Sequence, residues 1–436
     1  MKKIALLLLT AAILISLCAC GGGEDTGGSR PSVTKENQTE TEPAQTDGGA
    51  GQVWGRSDEP MPTGRLFESG DFKFLDLGDG TACALSYTGS DQEVVFPTDA
   101  DGLSVTGIWC YALVDAGGPV RKVTLPASVK KIAYCALTKI GLTQIEVDVD
   151  NPYLRSVDGV LYSRDGKTLV CYPADHCSLT GLLKFELPDS VETIAEGAFW
   201  YDYSLMVVEV GDGNSAFKDV DGVVYSKDGK RIVWFPAGKP YTSYSIPDGV
   251  TDIAPYTFIC AKNITQFVFS ADVENIPPTA FLNCTALKHL TVDENNKNYY
   301  SDEGKILYTK DKTELVFYPP SNSTTTFSFL DGMTKIGDYA CFGCKFMYKV
   351  PVPEGVTEIG FDAFKYCDWL READLPASLK RIGENAFADC KDLTLINFAG
   401  TVAEWEEVEK LPHWNSGETP EITVRCSDGE IVLPDA

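Results

Sequence analysis

A single unit, written again and again, governs what this chain can fold into. Proline followed six residues later by isoleucine occurs at Pro126/Ile132, Pro188/Ile194, Pro247/Ile253, Pro353/Ile359 and Pro376/Ile382. Behind each isoleucine stands a small residue and then a bulky one: Ala136-Leu137, Ala198-Phe199, Thr257-Phe258, Ala363-Phe364 and Ala386-Phe387. Ile276 with Ala280-Phe281 lacks the proline, Ile336 with Ala340-Cys341 has cysteine for phenylalanine, and Ile108 with Ala112-Leu113 is a divergent first copy. The steps Ile253 to Ile276, Ile336 to Ile359 and Ile359 to Ile382 are each 23 residues. Self-similarity at such a period marks a solenoid, because one short unit cannot bury its apolar face alone and must stack on the next. Within one turn the apolar positions Leu375, Leu379, Ile382, Ala386, Phe387, Cys390 and Leu393 are too irregular for one helix. They suit two short strands, a tight corner and one brief helical turn. The proline belongs where a strand ends, since it cannot donate a ladder hydrogen bond.

Three other steps are about 60 residues long and carry a repeated insert: SVDGVLYSRDGKTLVCYP from 156, DVDGVVYSKDGKRIVWFP from 219 and SDEGKILYTKDKTELVFYP from 301. Apolar runs joined by Asp-Gly predict β-hairpins, because glycine supplies the positive φ of the turn. The third copy has Asp311-Lys312 where the others have Asp-Gly, which predicts a looser turn there.

The (L/V/I)P-x-(S/G)-V-x-x-I-x-x-x-AF-x-x-C unit and the DGVLYS-x-DGK insert, from about residue 66 onward, resemble the BspA-type leucine-rich repeat family of bacterial surface proteins. The better-known L-x-x-L-x-L-x-x-N repeat fits less well, because the unit shows no asparagine column. The resemblance implies a mostly β, right-handed leucine-rich-repeat solenoid of ~23-residue turns with β-hairpin inserts and a C-terminal cap. The segment FAGTVAEWEEVEK to VRCSDGEIVL resembles that family's closing segment. The expected organisation is a lipoprotein signal peptide over 1–19, a lipidated cysteine and polar linker over 20–65, the solenoid over 66–397 and a capping segment over 398–436.

The leader rests on MKKIALLLLTAAILISLCAC, two lysines and a short apolar run ending at a small residue before Cys20. That run is an export signal rather than a span, which needs roughly 20 apolar residues. Cys20 is the expected lipidation site; Leu17 is a poor neighbour for cleavage before Cys18. Residues 21–65, rich in Gly, Thr, Glu and Gln, cannot bury enough apolar surface to offset ordering entropy and read as a tether.

The formal net charge of −26, without a clustered basic footprint, argues against nucleic acid as a partner. Fourteen cysteines in an exported chain raise the question of disulfides. Cys284, Cys344, Cys367 and Cys390 share one repeat column, so they read as small core residues whose parallel side-chain vectors oppose bridging. Cys83, Cys110, Cys135, Cys260, Cys341 and Cys426 are less regular, and Cys171 and Cys177 flank a turn at a spacing compatible with pairing. Cys341-Phe342-Gly343-Cys344 has the form of a redox pair or half a zinc site, yet both cysteines fall on packing columns.

His176, His289 and His413 have no recognisable catalytic neighbourhood. Asp148 and Asp150, and Asp76 and Asp79, lack the order of a calcium loop and read as turn aspartates. Trp200-Tyr201-Asp202-Tyr203, Trp234-Phe235 and Tyr299-Tyr300 are aromatic clusters suited either to binding or to covering the coil. Function therefore reads as a lipid-anchored, non-catalytic surface protein recognising an extracellular protein or glycan, with no cofactor and no metal, and touching the membrane through its anchor only. The alternative is an envelope enzyme, or a carbohydrate-handling accessory, using acidic residues on the solenoid face; a deep acidic cleft would favour it.

Overall fold

The computed structural model describes residues 53–54 and 62–433, apart from 134, 304 and 323–328. The signal segment, Cys20 and most of the linker lie outside the described residues. The chain divides into two compact units, Met1–Pro173 and Ala174–Ala436. Each is a β-solenoid with two strand columns, as the 23-residue period requires.

In the first unit an antiparallel meander of Arg65–Ser69, Phe72–Asp76 and Thr81–Tyr87 leads into parallel pairing with Leu103–Ile108 and Lys131–Ala133. A second parallel sheet stacks Glu93–Val95, Lys122–Leu125 and Gln144–Val147. Val94, Val123 and Ile145 point inward from it and are almost fully buried.

In the second unit the period becomes a register. Short strands Lys335–Ile336, Glu358–Ile359 and Arg381–Ile382 pair in parallel with every isoleucine beside the next. Longer strands Lys349–Pro351, Glu372–Leu375, Leu395–Phe398 and Ile422–Arg425 form a second ladder, closed by antiparallel Glu430–Leu433. Between the two columns the phenylalanines stack, Phe364 on Phe387 at 5.0 Å and 13°. The brief helical turn expected after each isoleucine is a run of turns at most copies and, among the described residues, a 3₁₀ helix only at Pro278–Phe281.

Two positions of that turn take positive φ. Tyr339, Asp362 and Asn385 stand before the alanine column at φ 57°, 51° and 54°; Gly343, Tyr366 and Asp389 stand before the cysteine column at 67°, 59° and 56°. Left-handed backbone outside glycine is strained and favours Asn and Asp, so the sharp reversal is encoded partly by these residues.

Helix Val402–Glu407 near the C-terminus begins with a capping box, Thr401 and Glu404 each satisfying the other's backbone amide. Lys410 donates to the carbonyls of Trp405 and Val408 at its other end, and Trp405 packs edge-on against Phe398 and Trp414.

The inserts are three-stranded meanders. The looser turn expected at Asp311-Lys312 is not found. Lys312 takes φ 63° where Gly166 and Gly229 take 76° and 80°, and its amide makes the same bond, to Thr309 O at 2.9 Å. Asp311 Oδ1 accepts from Thr309 Oγ1 and Thr313 N, as Asp228 does from Ser226 and Lys230, so the side-chain bonds hold the turn without glycine. The relaxed connection is the other one: three residues join Asp302 to Ile306, against two between Val157 and Val160.

Candidate binding face

The cysteine column carries packing and no exposed chemistry. Cys284, Cys344, Cys367 and Cys390 are at most 1% exposed. Each thiol donates to a carbonyl of the preceding turn: Cys284 to Phe258 at 3.0 Å, Cys344 to Tyr318 at 3.6 Å, Cys367 to Cys341 at 3.2 Å and Cys390 to Phe364 at 3.1 Å. In the last turn Thr419 Oγ1 takes over, donating to Phe387 O at 3.1 Å. The column is thus a set of buried donors as well as small apolar groups. Burial raises the Cys341 thiol, and pushes those of Cys344, Cys367 and Cys390 well above the ordinary range. That is opposite to what a nucleophile or metal ligand needs. The twelve cysteines of the described residues are thiols, Cys171 and Cys177 included.

One column was missed. Asn151, Asn214 and Asn296 are fully buried, one ahead of each insert. Asn151 Nδ2 donates to Pro126 O and Val129 O at 2.9 and 2.8 Å, and its Oδ1 accepts from Tyr153 N and Leu154 N at 2.8 Å. Asn214 and Asn296 repeat all four bonds. The expectation of no asparagine column is therefore corrected: the column exists, once per insert, because only a side chain with two donors and two acceptor sites can bridge both segments.

The remaining candidates resolve as structure. Asp148, Asp76 and Asp79 accept from the backbone amides of Asp150, Gly78 and Thr81, closing their own turns. Among the described residues no group of three or more His, Cys, Asp or Glu converges as a metal site. His176 begins the short helix His176–Thr180, His289 lies in strand His289–Val292, and His413 sits in a turn at φ 59°. Trp200, Tyr201, Trp234 and Phe235 are buried; Trp234 stacks on Phe199 at 4.9 Å. Tyr299 and Tyr300 are half-buried, the first accepting from Ile276 N and the second lying under Lys312. Asp202 is buried with Oδ1 accepting from Ser204 N and Leu205 N, and burial pushes its carboxyl up to about 6.

Two surfaces remain. Along the short strands a row of alternating charge, Glu314, Lys335, Glu358, Arg381 and Glu409, is joined by ion pairs of 3.2 to 3.5 Å. Opposite charges on directly paired residues support the register and leave little field to attract a ligand.

The longer strands present a different face. Residues pointing outward form two rows by register: Lys349, Glu372, Leu395 and Thr423, and beside them Pro351, Asp374, Asn397 and Arg425. Lys349 Nζ lies 2.6 Å from Glu372 Oε1 and 2.8 Å from Asp374 Oδ2. Asn397 Nδ2 donates to the same two carboxylates at 2.6 and 2.7 Å. Lys349 and Asn397 together hold the Asp374 carboxyl below its usual range despite partial burial. At the N-terminal edge of these strands stand Phe346, Tyr348 and Trp369, exposed by 37%, 46% and 43%. The Trp369 ring stacks on Tyr348 at 5.7 Å and 20° and meets Phe346 edge-on at 5.7 Å. At the other edge a depression of about 360 Å³ is lined by Val352, Glu354, Asp374, Pro376, Asn397 and Phe398. The sequence reading missed this trio. Its signal was position: Phe346 and Trp369 follow the cysteine by two residues, where the neighbouring copies have Ala286 and Asp392.

In the first unit a cavity of about 440 Å³ is lined by acidic groups, Asp71, Asp91, Glu93 and Asp99, with Phe72 and Tyr87. Tyr87 Oη donates to Asp91 Oδ2 at 3.1 Å, and burial raises the Tyr87 hydroxyl.

Among the described residues no helix is long and apolar enough to cross a membrane. A profile of the BspA type leucine rich repeat region matches residues 235–303 and 314–408, in six copies. No curated protein matches the chain. A leucine rich cell surface protein from Faecalibacterium prausnitzii is similar at 20% identity over 81% of this chain and 99% of that one, with TM-score 0.34. The pneumococcal vaccine antigen PcpA is similar at 17% identity over 84% and 89%, also with TM-score 0.34. A leucine-rich repeat protein from Eubacterium ventriosum follows at 17% over 75% and 88%, with TM-score 0.30. At such values the assignment rests on the repeat profile and on the observed ladders, whose register reproduces the sequence period. Residues 235–303 and 314–408 are leucine-rich repeats of the BspA type.

Proposed function

We infer that this is a lipid-anchored recognition protein of the bacterial cell surface, non-catalytic, which binds an extracellular protein or glycan through the outward face of its longer strands. The observation that carries this reading is the exposed trio Phe346, Tyr348 and Trp369 beside a satisfied row of polar groups. Large aromatic side chains left in water are where binding energy concentrates. Cys20 is the proposed anchor, with residues 21–65 holding the repeats clear of the membrane. Binding of cell-surface proteins and glycans to the full-length protein, compared with Trp369→Ala, tests the face. Equal binding by both proteins refutes it. Cys20→Ala shifts the protein from the membrane to the soluble fraction or leaves it unprocessed; unchanged membrane retention refutes the anchor.

A second reading is supported by the acidic cavity of the first unit, whose carboxylates would serve as acid and base in hydrolysis of a glycoside. Turnover of glycoside substrates by the full-length protein, abolished by Asp91→Asn or Glu93→Gln, would replace the binding reading with this one.

A further inference from the structure

We propose that the face built by Phe346, Tyr348, Trp369, Lys349, Glu372 and Asn397 is a binding site for a neutral polysaccharide. The proposal deepens the binding reading above and rests on it.

The two parts of the face ask for one ligand chemistry. An aromatic ring has a negative face, and a pyranose ring presents C–H groups of slight positive charge along its own face. Tyr348 and Trp369, stacked within 20° of each other and each more than two-fifths exposed, offer such a surface; Phe346 closes one side edge-on. The register then places polar groups immediately beyond the rings. Lys349 follows Tyr348 directly and pairs across the ladder with Glu372, three residues after Trp369. Lys349 and Asn397 each bridge Glu372 and Asp374. These carboxylates are still about one-third exposed, so acceptor sites face solvent beside ammonium and amide donors. A sugar hydroxyl donates and accepts at once, and can enter this network without stranding any member.

Other occupants fit less well. A polyanion meets a chain of net charge −26, and a patch in which one ammonium faces two carboxylates. A protein partner needs roughly 800 Å² from each side around an apolar centre. Here three rings stand at the edge of a charged and polar row, an area suited to a few sugar rings. Because stacked rings and neutralised pairs provide the contacts, binding should respond weakly to salt.

Affinity electrophoresis of the full-length protein, in gels containing neutral glucan, mannan, xylan or galactan or a polyanionic glycan, tests the proposal. The expected result is retardation by at least one neutral polysaccharide and none by the polyanion. Retardation should persist in 0.5 M salt and be accompanied by a change in tryptophan fluorescence. Trp369→Ala should weaken binding roughly tenfold or more, and Asn397→Ala by a smaller factor, both with unchanged melting because these side chains lie at the surface. No retardation in any neutral gel, or equal retardation of Trp369→Ala, overturns the proposal. If no polysaccharide binds while Trp369→Ala abolishes a direct, saturable complex with a purified surface protein, the glycan assignment fails and the binding face stands. If Trp369→Ala changes neither, both fail.

Discussion

Replacing Asn151 by alanine removes a side chain that serves four backbone groups at once. Val129 O loses its donor, Pro126 O keeps only the 3.3 Å bond from Val129 N, and the amides of Tyr153 and Leu154 lose their acceptor. Asn151 is 0% exposed, so bulk water does not replace these bonds. A buried polar group left without a partner costs about 1–3 kcal/mol. One water admitted to the vacated space could serve several of the three groups left without a partner, which puts the expected loss near the lower bound for each, about 3 kcal/mol in all. Urea denaturation of the full-length protein followed by tryptophan fluorescence measures it. Hydrogen exchange at Tyr153 and Leu154 locates it, since these two amides should lose protection.

Asn151→Asp separates the two halves of the bond set. Aspartate can still accept from Tyr153 N and Leu154 N, but an ionised second oxygen would face Pro126 O and Val129 O. The folded state therefore favours the protonated acid and raises its pKa above the unfolded value of about 3.9. Between those two values the folded state binds more protons, so stability falls as pH rises. The variant should trail the wild type by less at pH 4 than at pH 7. A loss under 1 kcal/mol for Asn151→Ala, with both amides still protected, would refute the assignment of this column as the clasp of the inserts.

Phe387→Ala removes a ring with 0% exposure that stacks on Phe364 and meets Trp414 edge-on, and should lower stability by about 3–5 kcal/mol in thermal or urea unfolding; under 1 kcal/mol would contradict the stacked column. Cys390→Ser should stay within about 1 kcal/mol of wild type, because a hydroxyl can donate to Phe364 O as Thr419 does to Phe387 O. In the native protein Cys344, Cys367 and Cys390 should resist iodoacetamide at pH 9, where mass spectrometry of labelled peptides would expose a reactive thiol. Asp202, pushed up to about 6, and Asp362, pushed up to about 7 against the opposing charge of Lys365 3.7 Å away, both bind protons more tightly folded than unfolded. Stability should therefore fall as pH rises from about 4 through 6 to 7, and Asp202→Asn, which keeps the acceptor for Ser204 and Leu205, should flatten the lower part of that fall in urea midpoints.

The period was legible because each of its marks is a packing constraint that every turn must meet. The isoleucines pair with one another across the short-strand ladder, the phenylalanines stack and the thiols fill one buried column. Asp158-Gly159 and Asp221-Gly222 announced their hairpins through the positive φ that both residues adopt. Other features carry one geometry in several residue types, and a residue pattern does not show them. Tyr339, Asp362 and Asn385 share a left-handed backbone and nothing chemical. Lys312 occupies a glycine position because Asp311 and Thr309 hold the turn around it. The asparagine column slipped out of alignment for a third reason. Asn151 and Asn214 precede Tyr162 and Tyr225 by eleven residues, while Asn296 precedes Tyr308 by twelve, the longer Asp302–Ile306 connection supplying the difference.

The same division explains where function can reside on such a scaffold. In the second unit the isoleucine, alanine, phenylalanine and cysteine columns face inward, and truncating their larger side chains leaves a void, so those positions are constrained by stability. The short-strand ladder is committed as well, since every carboxylate from Glu314 to Glu409 pairs with a cation of an adjacent turn, Arg381 serving two of them. The positions two and four residues after the cysteine column vary from turn to turn: they hold Phe346 and Tyr348, then Trp369 and Arg371, then Asp392 and Thr394, with Arg371 paired to Asp392 at 3.5 Å. At a position whose side chain supports nothing beneath it, a large exposed ring brings no stability to the fold. Three such rings gathered within two successive turns are the reason the proposed binding face is set at this edge of the longer strands.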